Sequence, residues 1–121
     1  SKRQGIIEYA QRFVGGKYKF GGTSLTKGID CSAFVQQIYA KFGIELPRTS
    51  KPQSKCGRSI SYSQLQPGDL LFYGRSGVSG VGHVAIYIGN GKIVHAASER
   101  LGITISNARY TTILAIKNVI D

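Results

Sequence analysis

The sequence predicts an α+β domain, with N-terminal helices packed on a mainly antiparallel β-sheet. Three observations carry this. Apolar residues recur at helical spacing in the first third of the chain, and the period changes to two after Gln66. The strand-like runs then follow one another through glycine-rich turns, with no helix between them. At 121 residues the chain is expected to form one domain over 1–121, long enough to fold on an apolar core without staples.

Each element has its own signal. Residues 5–14 read as a helix with Ile6, Ile7, Ala10, Phe13 and Val14 at helical spacing, ended by Gly15-Gly16. KYKFGGTSLTKGI reads as a loop from its glycines and polar residues. A second helix follows, with Asp30 as N-cap, Phe34, Val35, Ile38 and Phe42 on its inner face, and Gly43 at its stop. LPRTSKPQSKCGRS is a connection with room for short helical turns around Ser50 to Lys55. QPGDLLFYG is a turn and a strand, and GRSGVSGVG a mobile Gly/Ser loop. VGHVAIYIGNGKIVHAAS gives two strands joined at Gly89-Asn90-Gly91; ITISNARY and ILAIKNVI complete the β half.

Charge narrows the surroundings. Sixteen basic residues against 6 acidic ones give a net +10, a field that favours nucleic acid, anionic lipid or an anionic cell wall. The basic residues, Lys17, Lys19, Lys27, Lys41, Arg48, Lys51, Lys55 and Arg58 among them, are scattered rather than packed into one tract, without RNA-stacking motifs or metal-finger spacings, and no nucleic-acid partner is expected. No run approaches the ~20 apolar residues of a membrane span. The start, SKRQGIIEYAQRFVGG, is basic and then amphipathic, with no signal-peptide pattern and no initiator Met. The chain is therefore expected to be a piece excised from a longer protein.

Cys31 and Cys56 admit one disulfide or two free thiols, and their spacing does not choose. The pattern C-x24-C-x26-H-x11-H fits no common zinc site, whose ligands come in close pairs, so no metal is expected. A lone Cys is most often a small core hydrophobe. Cys31, however, directly follows the expected N-cap, where a helix dipole and unpaired N–H groups favour a thiolate. It is expected to ionise below a free thiol's ~8.5, although the Asp30 charge opposes the dipole.

A thiolate nucleophile needs a base, and the only histidines, His83 and His95, lie in one predicted hairpin. A two-residue turn at Asn90-Gly91 would put His95 opposite Ile86 and the rings on opposite faces. A three-residue loop, Gly89-Asn90-Gly91, pairs Ile88 with Lys92 and His95 with Ala85. His83 and His95 then share a face as diagonal neighbours ~7 Å apart by backbone, within reach of a ring-to-ring hydrogen bond. That register, which needs a three-residue loop or a bulge, supplies a base and the group that orients it on the face toward Cys31, the arrangement of a cysteine hydrolase.

The sequence resembles the NlpC/P60 family of cell-wall cysteine peptidases, whose core is papain-like. The matching pieces are Y-x-F-G-G at Tyr18 to Gly22, D-C-S at Asp30 to Ser32, and G-I-x-L-P-R-T-S at Gly43 to Ser50. They continue with L-Q-P-G-D-L-L-F at Leu65 to Phe72, G-H-V-A-I-Y-I-G-N-G at Gly82 to Gly91, and I-V-H-A at Ile93 to Ala96. Each piece is weak alone; the ordered set is specific. Ala33 departs from a frequent Gly after D-C-S, and Cys56 has no counterpart in the motif. Arg48, Thr49 and Ser50 match recurrent positions and mark no more than a turn and a helix start.

The resemblance implies a catalytic domain that hydrolyses peptidoglycan stem peptides between D-glutamate and the following diamino acid. It implies Cys31 as nucleophile, His83 as general base and acid, His95 as the polar third member, and Tyr18 as oxyanion support. It further implies that Asp30 and Ser32 help hold a free L-alanine amine of the stem. No metal or organic cofactor is expected, and both thiols are expected to be free, since a bridge would consume the nucleophile. The expected partners are stem peptides and the anionic wall, the expected state a monomer, and the expected place extracellular or wall-associated. The alternatives are an amidase or acyltransferase on the same core, against which the order Cys, His, His argues, and a non-catalytic basic wall-binding module.

Overall fold

The computed structural model describes residues 1–121 and has the α+β architecture expected. Ser1 caps helix α1 (Lys2–Gln11) by accepting from the Gln4 N–H at 3.2 Å. That cap starts and ends the helix earlier than the 5–14 span expected. Ile6, Ile7 and Ala10 are buried as the spacing required, whereas Val14 falls beyond the helix and is exposed.

The segment expected to be a plain loop contains a small hairpin, β1 (Thr23–Ser24) against β2 (Gly28–Ile29). Ile29 also holds the preceding chain: its N–H donates to the Lys17 carbonyl at 3.1 Å, and its carbonyl accepts from Lys19 at 3.1 Å. Tyr18 is thereby fixed beside the residues that lead into the next helix. Gly22 is required here, because a Cβ would lie 2.6 Å from the Gly28 carbonyl oxygen and 2.9 Å from Lys19 Cβ.

Helix α2 (Cys31–Ala40) begins where the sequence placed it, with the Asp30 carboxylate accepting from the Ala33 N–H at 2.8 Å. Its inner face, Ala33, Phe34, Val35, Ile38 and Tyr39, is fully buried. A short helix α3 (Ser50–Gln53) and a 3-10 turn at Tyr62–Gln64 interrupt the connection that follows. Buried Gln53 ties α3 to α2, donating to the carbonyls of Ser32 at 3.0 Å and Pro47 at 2.8 Å.

The remaining strands are β3 (Arg58–Ser59), β4 (Leu70–Arg75), β5 (Val78–Gly89), β6 (Lys92–Ser98), β7 (Gly102–Asn107) and β8 (Ile113–Asn118). They form one six-stranded antiparallel sheet in the order β3-β8-β4-β5-β6-β7. The Gly/Ser stretch expected to be a mobile loop is part of it, since Arg75 pairs with Val78 and β5 runs on from there. Between that pair and the Tyr73–His83 pair, Ser79 to Gly82 bulge out opposite Gly74.

The β5–β6 turn meets the expected requirement through a bulge rather than a three-residue loop. Gly89 pairs with Lys92 across a two-residue Asn90-Gly91 turn, both with positive φ (55° and 72°), and a bulge at Ile88 follows. The bulge restores the other register: Ile86 faces Val94, which carries Ala85 opposite His95. The two histidines therefore share a face.

Alternation gives the sheet two packed sides. Leu70, Phe72, Val84, Ile86, Val94, Ala96 and Ile103 join α1 and α2 in the larger core, while Leu71, Tyr73, Ala85, Ile93 and Ala108 form a smaller one. Tyr39 anchors α2 to the turn before β4, its buried hydroxyl donating to the Gly68 carbonyl. Tyr39→Phe leaves that carbonyl without its partner and should cost about 1–2 kcal/mol. A urea midpoint equal to the parent's would show that the bond contributes nothing.

Candidate active site

At the start of α2 the Cys31 side chain is 6% exposed and opens on a cleft of about 500 Å³ shared with Tyr18, Asp30, Ser32, Arg48 and Arg75. The backbone N–H groups of Val84 and Ser32 favour the charged form of the sulfur. The Val84 contact explains how thiol and base come together. The β5–β6 pairs run from Gly89–Lys92 only as far as Ile86–Val94, and beyond them the Val84 amide serves Cys31. The thiol thus lies against the backbone next to His83.

His83 and His95 sit on the face that carries Tyr73 and Ala85, not on the face packed against α2, as their alternation with Val84 and Val94 requires. Their hydrogen bond is as expected: His83 Nε2 is 2.8 Å from His95 Nδ1, and both rings are buried. Two partners went unnoticed in the sequence. His95 Nε2 lies 2.9 Å from Ser106 Oγ, and His83 Nδ1 lies 3.2 Å from Arg75 Nη2.

These contacts fix the ring protons. A guanidinium only donates, so His83 Nδ1 is a bare acceptor and its hydrogen resides on Nε2. His83 Nε2–H then donates to His95 Nδ1, and His95 Nε2–H donates to Ser106 Oγ. Nδ1 of His83 is the nitrogen left for chemistry. In the free protein it is engaged by Arg75, with no hydrogen bond to the Cys31 sulfur.

One side of the Cys31 cleft is a tight polar knot. Arg48 clamps Asp30 in a two-point pair, Nη1 to Oδ1 at 3.0 Å and Nη2 to Oδ2 at 2.9 Å, and also donates to Ser32 Oγ at 3.0 Å. Ser32 Oγ lies 3.4 Å from Asp30 Oδ1. Arg48, which the motif marked without a chemical role, therefore offsets the charge of the helix cap. The Tyr18 hydroxyl accepts from Arg75 Nη1 at 2.9 Å, which leaves its own hydrogen free for a third party. Both cysteines are free thiols, and no group of three or more His, Cys, Asp or Glu comes together to hold a metal.

Electrostatics overturn one expectation. Burial pushes the Cys31 thiol up; the Val84 N–H, the Arg75 charge and the Ser32 N–H pull the other way, and Asp30 adds to the rise. Burial also drives both imidazoles down, helped at His83 by His95 and Arg75. The resting pair is thus a neutral thiol beside a neutral imidazole, not the thiolate that a helix N-terminus alone favours.

Two outcomes follow. Alkylation of Cys31 by iodoacetamide should rise with pH through a midpoint above that of a model thiol; a lower midpoint would establish a thiolate–imidazolium pair instead. Stability has its own signature. Unfolding lets both histidines bind protons below their ordinary 6.5, so their contribution is complete above pH 6.5 and lost as pH falls. His83→Gln should flatten that acid limb in urea titrations; an unchanged slope would mean that His83 titrates alike folded and unfolded.

Comparison with known proteins agrees with this architecture. The NlpC/P60 family model matches residues 15–116. The chain is 48% identical over 103 residues to the Escherichia coli K12 murein DD-endopeptidase MepS/murein LD-carboxypeptidase, covering 84% of this chain and 53% of that protein. It is 36% identical over 104 residues to the Bacillus subtilis gamma-DL-glutamyl hydrolase, covering 84% of this chain and 25% of that one. Among solved structures, an NlpC/P60 family protein from Bacillus cereus superposes with a TM-score of 0.90 at 32% identity, over 98% of this chain and 40% of the other. The chain spans about half the length, or less, of the curated relatives it matches. The fold, the ordered motifs and the family match converge: this chain belongs to the NlpC/P60 family.

Proposed function

We propose that this is the catalytic domain of a peptidoglycan hydrolase, a cysteine endopeptidase that cuts the stem peptide after D-glutamate outside the cell or at its wall. The observation that carries the reading is the buried His83–His95 hydrogen bond, which leaves His83 Nδ1 facing Arg75, the residue shared by the cleft that holds Cys31 and the cleft that holds His83. Names of relatives support the substrate class. Murein is named for the Escherichia coli protein, and a gamma-glutamyl bond for the Bacillus subtilis one.

The chemistry runs in two halves. The Cys31 proton passes to His83 Nδ1 as sulfur attacks the amide carbonyl carbon. His95 Nδ1 accepts from His83 Nε2–H before and after that transfer, so the resulting imidazolium needs no rearrangement. The oxyanion meets the Cys31 backbone N–H, which as the first in its helix has no intrahelical partner, and the Tyr18 hydroxyl hydrogen. The C–N bond then breaks as Nδ1 returns the proton to the leaving amine. Water, deprotonated by the same nitrogen, attacks the thioester and releases the acid and the Cys31 thiol.

Asp30 and Ser32 bound the acyl side, where we place the L-alanine amine. Since Arg48 already holds both Asp30 oxygens, the ammonium must share the carboxylate with that guanidinium.

The test is mass spectrometry of products from L-Ala-γ-D-Glu-L-Lys, its diaminopimelate equivalent and a stem capped by N-acetylmuramic acid. Cleavage after D-glutamate is expected, with Cys31→Ala slower by about 10³-fold or more. Uncapped stems should be cut faster, and Asp30→Asn should shrink that preference while Arg48→Gln keeps it. Equal rates on capped and uncapped stems would remove the amine from Asp30. Cleavage between muramic acid and L-alanine would make the protein an amidase. The name of the Escherichia coli relative favours a second reading, hydrolysis of a DD peptide bond, which the same product masses separate.

A further inference from the structure

Arg75 occupies a place that the proposed chemistry does not explain. Its Nη2 sits on His83 Nδ1 at 3.2 Å, the lone pair into which the Cys31 proton must pass. Its Nη1 rests on the Tyr18 hydroxyl at 2.9 Å. Backbone geometry supports this reach. The bulge at Ser79 to Gly82 lies opposite Gly74, just before Arg75, and a Cβ on Gly82 would come within 2.7 Å of Arg75 Cβ. The absent side chain beside the base leaves that room to the arginine.

Arg75 also borders two clefts. One contains Cys31; the other, about 440 Å³, contains His83, Ser98, Glu99 and Tyr110. The leaving amine must take its proton from His83, so the residue that departs belongs in the second cleft. That cleft presents one cation, Arg75, and one carboxylate, Glu99. A lysine side chain there offers only an ammonium. A diamino diacid offers an ammonium and a carboxylate, one for each group.

We propose that Arg75 is a positioning residue that caps the base in the free protein and is drawn off it by a side-chain carboxylate on the leaving residue. A diaminopimelate-type residue after the scissile bond is therefore preferred to lysine. This rests on the function proposed above. The exchange is driven by the acceptor: a carboxylate binds a guanidinium more strongly than a neutral imidazole nitrogen does. With the guanidinium moved, Nδ1 is open to the thiol and Arg75 still faces the Tyr18 hydroxyl. The same contact, in the absence of substrate, withholds the base from a nucleophile that has nothing to attack.

Two measurements decide it. In kinetics, with the C-terminal α-carboxyl of both substrates amidated, the unmodified protein should cut L-Ala-γ-D-Glu-meso-diaminopimelate with kcat/KM about tenfold or more above the L-Lys tripeptide, the size expected of one charge-assisted bond. Arg75→Ala should bring that ratio to within about twofold, and Arg75→Lys, which keeps a cation without the fork, should lie between. In 15N-histidine NMR on Cys31→Ala protein, the His83 Nδ1 resonance should move when Arg75→Ala is added. It should move toward that same position on titrating the diaminopimelate tripeptide, and not the lysine one. An unchanged kinetic ratio in Arg75→Ala, or a ring resonance indifferent to that substitution, would overturn the proposal. Failure to cut either tripeptide after D-glutamate would sink the function reading instead. The NMR titration would then decide alone, a selective shift supporting the cap and no selective shift refuting it.

Discussion

The hydrogen bond between His83 Nε2 and His95 Nδ1 is the constraint on which the rest of the site depends. It uses one nitrogen of each ring, so each ring has a single remaining direction of action. His95 spends its own on Ser106, and His83 turns its own toward Arg75 at the cleft. Because both rings are buried, the bond stays in a low dielectric and both imidazoles stay neutral. A neutral His83 with a bare Nδ1 can accept a proton. An imidazolium cannot, and the tautomer is set entirely by groups that do not react.

The opposite requirement holds at Cys31. A helix N-terminus stabilises a thiolate, but the cap that ends the helix cleanly is Asp30, whose charge works against it. Arg48 offsets the carboxylate and fixes it against Ser32, while Gln53 holds the Ser32 carbonyl from the other side. This knot makes the helix start rigid without making the thiol acidic. Burial then wins, and the sulfur rests protonated with the Val84 and Ser32 amides directed at it. Those amides favour sulfur as charge develops there, so the site is arranged for the thiolate that forms during reaction rather than for one that persists in water.

Elements with strong local signals were legible in the sequence. The α2 start is set by Asp30 and its stop by Gly43, both local chemistry, and alternation in IVHA and HVAIYI gave the strand faces. The α1 bounds were not, because Ser1 caps a stretch whose first turn carries no apolar residue. The β5–β6 register was half legible: a two-residue turn plus a bulge at Ile88 gives the same pairing as a longer loop, and composition cannot separate them. Arg75 lay hidden in a glycine-rich run that reads as mobile, since its strand character comes from pairing with Val78 across a bulge. Ser106 was within reach. ITIS places Thr104 and Ser106 on one face, and only the β6–β7 register, His95 opposite Thr104, was lacking. Arg48 had no local signal for Asp30 at all, because a salt bridge across 18 residues leaves no periodic trace.

Nucleophile and base are supplied from different cores. Cys31 is held by the larger one, through Phe34, Val35 and Ile38 against Val84 and Val94; the histidines are carried on the face of the smaller one, beside Tyr73 and Ala85. The sheet lies between, and the two sides meet only where β5 and β6 stop pairing and the Val84 amide turns to sulfur. Their alignment is therefore set by β5 backbone rather than by side-chain packing between them. A bulge near each end of that strand, at Ile88 and at Ser79 to Gly82, fixes the register of one histidine pair and the reach of one arginine. The chemistry of this site is written in strand irregularities, and the regular parts of the fold serve to hold them still.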